Sequence, residues 1–387
     1  MTHPPVPFFR PSIGEEEIAA VTECLRSGWL TTGPKSKAFE EVFAAFVGGE
    51  VQAIAVNSAT AALHLGLEAM GVGPGDEVIV PTLTFTATAE VVRYLGATPV
   101  FVDVESDSFC IDIEAVEAAI TEHTKVVMPV HFAGRMCDMT TLRALADRHG
   151  LKILDDAAHA LPAAHRGESV GLAGTDVTAF SFYANKTMTT GEGGMLVTRD
   201  LALAARARLM RLHGIDRDVF NRFTDLRASW IYDVVAPGFK YNLTDMASAL
   251  GLVQLAKATD FARLRAARVA RYDAAFADLP VILPPRPAEG DDHSWHLYIL
   301  QLTDEAPVSR DDFLLALKEQ GIGISVHYRP LHQLTVWKEY CRNHNFPAAD
   351  AIFERCVSLP LFMALTDAEQ DRVIEVVRSV LCKGPLR

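Results

Sequence analysis

From about residue 50 to residue 200 the chain repeats one pattern: a short apolar run, a turn of small or polar residues, then a longer amphipathic stretch. The apolar runs fall at 53–56, 77–80, 99–104, 125–132, 152–154, 178–182 and 194–198. They are rich in Val, Ile and Phe with little polar alternation, as strands buried on both faces should be. Helical periodicity fills the gaps at 60–70, 86–95, 113–120 and 139–149. Repeated strand–helix units predict an α/β fold: a mainly parallel seven-stranded sheet with helices on both sides. Ligands of such sheets sit outside the carboxyl ends of the strands.

After residue 200 the pattern changes. Residues 201–212 read as a helix, and 213–237 as a long polar and aromatic loop with a functional role. Helices are expected at 243–255, 261–277, 310–320 and 367–381, strands at 296–302 and 323–328, and a Pro-rich connection at 280–292. This predicts a large domain over 1–255 and a smaller α+β domain over 256–387, with the N-terminal segment in reach of the smaller one.

Composition narrows the function classes. The 387 residues are 49% hydrophobic and 22% charged, enough apolar surface to offset the ordering entropy of a globular fold. The net charge of -13 argues against a non-specific nucleic-acid binder, which needs a basic surface. The six cysteines form no C-x-x-C pair, so neither a zinc site nor a disulfide framework is expected, and a reducing compartment is. With no apolar signal core near the start and no run approaching a membrane span, the expected location is cytoplasmic.

Four strand ends carry residues suited to chemistry. Phe180-Ser181-Phe182-Tyr183-Ala184-Asn185-Lys186 precedes Gly191-Glu192-Gly193-Gly194. A lysine in a closed site sheds its proton and forms an imine with an aldehyde. The run Ile153-Leu154-Asp155-Asp156-Ala157-Ala158-His159 takes a strand into two carboxylates. A pyridine electron sink needs a carboxylate to keep its nitrogen protonated, and Asp156 is the candidate; a helix cap is an equally good reading of an Asp there, and Asp155 is read as a structural acid. At Asn57-Ser58-Ala59-Thr60 a strand turns into a helix whose first amides and hydroxyls make an anion site, which Ser181 can close. Phe85, after the 77–80 run, can lie on a cofactor ring or in the core. Together these ask for a phosphorylated aromatic aldehyde.

On these stretches, and on Gly28 to Pro34, Gly75 to Pro81, Leu95 to Val104, Gly238 to Leu243 and His327-Tyr328, the chain resembles the DegT/StrS family of nucleotide-sugar aminotransferases along nearly its whole length. The resemblance implies fold type I of the pyridoxal 5'-phosphate (PLP) enzymes, the aspartate-aminotransferase-like fold. It makes Lys186 the residue joined to PLP and Asp156 the partner of the ring nitrogen. It sets His159 beside the ring hydroxyl, Phe85 on the ring face, and Ala59, Thr60 and Ser181 on the phosphate, with Asn242 reaching the phosphate from the second subunit of a homodimer. It implies substrate contacts from Trp29, Leu30, Thr31, Lys240, His327 and Tyr328, with Arg10, Lys35 and Arg329 as further phosphate donors. Lysine rather than histidine at 186 favours transamination over dehydration. The expected partners are L-glutamate and a nucleotide keto sugar, with neither nucleic acid, membrane nor metal. The Gly-Phe-Lys-Tyr-Asn-Leu form at 238–243 is similar to members acting on UDP-4-keto sugars, among them the one that makes UDP-4-amino-4-deoxy-L-arabinose. A cyclitol ketone or a dTDP- or GDP-linked 3- or 4-keto sugar is the alternative acceptor.

Overall fold

The computed structural model describes residues 4–216, 232–341 and 344–383; most of the 213–237 loop expectation lies outside them. Two helices precede the first strand, α1 (Glu15–Ser27) and α2 (Pro34–Val47), neither anticipated from periodicity. The central sheet is built from β1 (Gln52–Val56), β2 (Glu77–Pro81), β3 (Thr98–Val102), β4 (Thr124–Val127) and β5 (Lys152–Asp156), with β8 (Val177–Ser181) and β9 (Gly194–Thr198); a two-residue hairpin, β6 (Ala164–His165) and β7 (Glu168–Ser169), intervenes. The order is β1-β9-β8-β5-β4-β2-β3. All pairings are parallel except those of β9, which runs antiparallel to both β1 and β8. The expected α/β fold with a mainly parallel seven-stranded sheet is therefore present.

Because successive strand residues point to opposite faces, each strand feeds two cores. Ile54, Val78, Leu154 and Leu196 pack with helix α3 (Ala59–Ala69) and with α4 (Ala87–Tyr94) on one face. Ala53, Ile79, Ile153 and Val197 pack with Phe39 and Phe43 of α2 and with Leu142 and Leu145 of Met139–His149 on the other. Each fully buried large aliphatic side chain here contributes about 1.5–3 kcal/mol. Helix α3 lies very close to the sheet at Gly66, where a Cβ would stand 2.5 Å from Leu154 Cδ1 and 3.2 Å from Val177 Cγ1. That approach seats α3 directly on β5 and β8.

Three expected strands differ. The 125–132 run pairs regularly only as Thr124–Val127; Met128 N still donates to Ile79 O at 2.8 Å, and Pro129, with no amide hydrogen, follows. The 152–154 run extends to Asp156, so both carboxylates are strand residues, and the helix-cap reading of Asp156 is replaced by a strand end. Residues 323–328 form no strand: Ser325 alone bridges Ser358.

A three-stranded antiparallel sheet, β10 (Val281–Ile282), β11 (Tyr298–Leu302) and β12 (Cys356–Leu359), forms a third core with Val269, Tyr272, Phe276, Phe313 and Val377. Val6 joins it, its amide donating to Gly321 O at 2.9 Å. No helix among the described residues is long and apolar enough to cross a membrane.

Candidate active site

The carboxyl ends of β5 and β8 and the start of α3 surround a cavity of about 440 Å³. Its wall carries Ala59, Thr60, Phe85, Asp156, His159, Ser181, Lys186, His327 and Tyr328 among the residues expected from sequence.

The floor is set by strand alternation. Asp156 continues the face of Leu154 and reaches the cavity. Asp155 takes the face of Ile153 and lies fully buried with His131, Nε2 to Oδ2 3.3 Å. Asp156 Oδ1 accepts from the Ala158 amide at 3.1 Å and Oδ2 from the Thr88 hydroxyl at 2.9 Å. Burial pushes the Asp156 carboxyl above its usual range, while those two donors and nearby Lys186 pull it back. A buried carboxylate in this state gains from a cationic partner.

Lys186 sits on the turn after β8, its amide donating to Tyr183 O at 2.9 Å. Burial lowers its amine to about 8, with Asp156 opposing. The amine is thus close to neutral-pH ionisation, as a nucleophile or general base requires.

One end of the cavity is an anion cradle. Ser58 caps α3, its hydroxyl accepting from the Ala61 amide at 3.1 Å. The amides of Ala59 and Thr60, in the first turn, have no partner within the helix, and the dipole adds to their pull on an anion. Gly194 makes this geometry possible: a Cβ there would stand 2.6 Å from Ser58 C and O and 2.7 Å from Ala59 N. Ser181 lies on the same wall.

Another part of the lining is aromatic. Phe85 is 58% exposed, an uncovered ring beside a cavity, and its centroid is 6.0 Å from that of Tyr328. His159 Nε2 meets the Tyr328 hydroxyl at 3.2 Å, and the two rings stack at 25°. Burial, with Lys186 and His327 adding to it, drives the His159 imidazole well below its ordinary range, so it is neutral. His327 is likewise lowered, to about 4, by burial and by Lys186, and its Nδ1 meets Ser358 Oγ at 2.8 Å.

The remaining expected residues lie off the wall of this cavity within a single chain. The Trp29 indole folds back over Gly33 and donates to Thr32 O at 3.2 Å. Leu30 and Thr31 are exposed. Lys240 is exposed too, its carbonyl accepting from Asn57 Nδ2 at 3.3 Å. Asn242 donates to Thr32 Oγ1 at 2.6 Å. Arg10 pairs with Glu369 at 3.0 Å, Lys35 with Glu23 at 3.1 Å, and Arg329 faces Gln333. Sequence reasoning passed over Tyr183, Asn185 and Glu192, which line the cavity inside stretches already singled out, and Thr88, whose partner is 68 residues away.

This donor set suits a phosphorylated pyridine aldehyde: an anion cradle closed to any Cβ at Gly194, a buried carboxylate, an amine of lowered basicity and an exposed ring. Two buried polar atoms of lining residues, His159 Nδ1 and Asn185 Oδ1, also lack a protein partner.

The model of the DegT/DnrJ/EryC1/StrS aminotransferase family matches residues 11–378. The chain belongs to that family. DegT/DnrJ/EryC1/StrS members are PLP-dependent sugar aminotransferases of fold type I. Over 380 residues, 97% of each chain, this family member is 45% identical to the spore coat polysaccharide biosynthesis protein SpsC of Bacillus subtilis. It superposes on the sugar aminotransferase Spr1654 of Streptococcus pneumoniae in its PMP-form with a TM-score of 0.91 and 37% identity, covering 99% of this chain and 100% of that one. Helicobacter pylori PseC, an aminotransferase of pseudoaminic acid biosynthesis, gives a TM-score of 0.89 at 30% identity, covering 97% and 98%.

Proposed function

We propose that this sugar aminotransferase moves an amino group from L-glutamate to a UDP-linked 4-keto sugar in the cytoplasm, yielding an amino sugar nucleotide and 2-oxoglutarate. The observation that carries the proposal is the convergence of Lys186, Asp156, Ser181 and the first amides of α3 on one cavity.

In this reading Lys186 holds the cofactor aldehyde and Asp156 the ring nitrogen. His159 lies beside the ring hydroxyl, Phe85 covers the ring face, and Ala59, Thr60 and Ser181 bind the phosphate. When bound, PLP supplies an electron sink for the pair left when the donor α-carbon loses its proton. Lys186 Nζ takes that proton and returns it at the sugar carbon in the second half of the cycle. Asp156 holds the ring nitrogen charged, and His327 and Tyr328, from the smaller unit over 256–387, orient the sugar over the large unit, 1–255.

Among the described residues, Lys186 is the only lysine or arginine on the cavity wall. Two phosphate-bearing ligands need more positive charge than that. This supports a homodimer with shared sites, in which Asn242 of one subunit reaches the phosphate bound by the other, and Trp29, Leu30, Thr31 and Lys240 contact the substrate across the interface.

Half-reaction spectroscopy tests the proposal. Glutamate should convert the bound cofactor to its amine form, and a UDP-4-keto sugar should restore the aldehyde form. Restoration only by a cyclitol ketone or by a dTDP- or GDP-linked sugar would overturn the acceptor, and no conversion by glutamate would overturn the donor.

A further inference from the structure

Asp156 is held by a second residue pair that no strand-end motif announces. Thr88, fully buried in the first turn of α4, donates its hydroxyl proton to Asp156 Oδ2 at 2.9 Å. Thr84, four residues earlier and also buried, stands with its hydroxyl 2.9 Å from that of Thr88. A threonine in a helix ordinarily turns its hydroxyl toward the carbonyl four residues back. Here the hydroxyl spans from another hydroxyl to a carboxylate.

The proton count fixes a direction. Each threonine has one hydroxyl proton. Thr88 gives its proton to Asp156, so the contact with Thr84 is satisfied by the Thr84 proton. The chain therefore runs Thr84 to Thr88 to Asp156. The other carboxylate oxygen accepts from the Ala158 amide at 3.1 Å, a donor that cannot reverse. Both oxygens are supplied with donors that favour the ionised carboxylate, and each keeps lone pairs free for a further donor in the cavity.

We propose that Thr88, backed by Thr84, is a positioning residue for transamination: the two-hydroxyl chain orients the Asp156 carboxylate and keeps it an acceptor for the cofactor's ring N–H. The inference rests on the assignment of Asp156 to the ring nitrogen under Proposed function. The charged and titratable groups that face Asp156 are Lys186 from the turn after β8, His131 from the segment after β4 and Tyr328. Each acts on the carboxylate through space, whereas Thr88 bonds it directly.

The test uses the full chain with and without PLP. The Asp156 carboxyl band, identified by its loss in Asp156→Asn, is titrated by infrared spectroscopy in the cofactor-free protein. Thr88→Val should raise the pH of protonation by about one or more and weaken PLP binding roughly tenfold, the scale of one hydrogen bond to a charged group. Thr88→Ser, which keeps the hydroxyl, should restore both values, and Thr84→Val should move both in the same direction by less. A Thr88→Val protein that binds PLP and titrates like the wild type would overturn the proposal while leaving the site reading intact. A wild-type chain that takes up no PLP would overturn the site reading itself, and the titration would still decide whether Thr88 holds the carboxylate ionised.

Discussion

Asp155 and Asp156 are consecutive in β5 yet serve opposite faces of the central sheet: Asp155 lies against His131 Nε2 at 3.3 Å, and Asp156 lines the cavity. Strand alternation alone divides the two carboxylates between a buried pair and the cavity wall. The division makes their substitutions separable. Asp156→Asn should leave the fold intact and lower turnover on the order of 10²–10³-fold, as loss of an aligned charge does. Asp155→Asn should act on stability, by about 3–5 kcal/mol, because it leaves one partner of a fully buried pair alone. Urea unfolding and steady-state kinetics on both variants read the difference. Equal effects of the two on turnover with unchanged stability would contradict it.

Gly194 is expected to govern the phosphate cradle. Its Cα faces the Ser58 carbonyl so closely that Gly194→Ala must displace the start of α3 or the start of β9. Such overpacking costs about 1–3 kcal/mol. PLP titration by fluorescence should therefore give at least roughly a fivefold higher dissociation constant in this variant. Unchanged affinity would mean that the amides of Ala59 and Thr60 do not hold the phosphate.

Lys186 gives a pH dependence whose sign follows from its environment. Burial lowers the amine to about 8, and only the unprotonated amine attacks an aldehyde. At pH 7 about a tenth of the chains then carry the reactive form, against fewer than one in about a thousand at the unperturbed lysine value. The rate of PLP capture by the cofactor-free protein, followed by stopped-flow absorbance, should rise with pH and level off above about 8. A rise that continues toward the ordinary lysine range would contradict the placement of this amine.

Much of this was legible in the sequence because parallel sheets put function at strand ends. The run into Asp155 and Asp156, the Ser181 to Lys186 turn and the capped start of α3 are each local signals, and β5, β8 and the first turn of α3 bring them together. What stayed hidden was contact across distance. Thr88 looks like one more helix residue until its partner, 68 positions on, is placed beside it. Residues 323–328 have a strand's composition, but they pair with β12 only at Ser325. Helix α2 does bury Ser36, Phe39, Phe43 and Val47 at helical spacing, but it lies ahead of the first strand–helix repeat, and α1 buries only Glu17 and Cys24. Trp29, Leu30, Thr31, Lys240 and Asn242, expected at the site from the resemblance, lie off the cavity wall within a single chain.

The central claim is that Lys186 is the residue covalently joined to PLP. Borohydride reduction of the loaded protein, followed by proteolysis and mass spectrometry, tests it directly. The account predicts a stable pyridoxyl tag on the peptide containing Lys186 and loss of both tag and visible absorbance in Lys186→Ala. A tag on another lysine, or a Lys186→Ala protein that keeps its turnover, would contradict it.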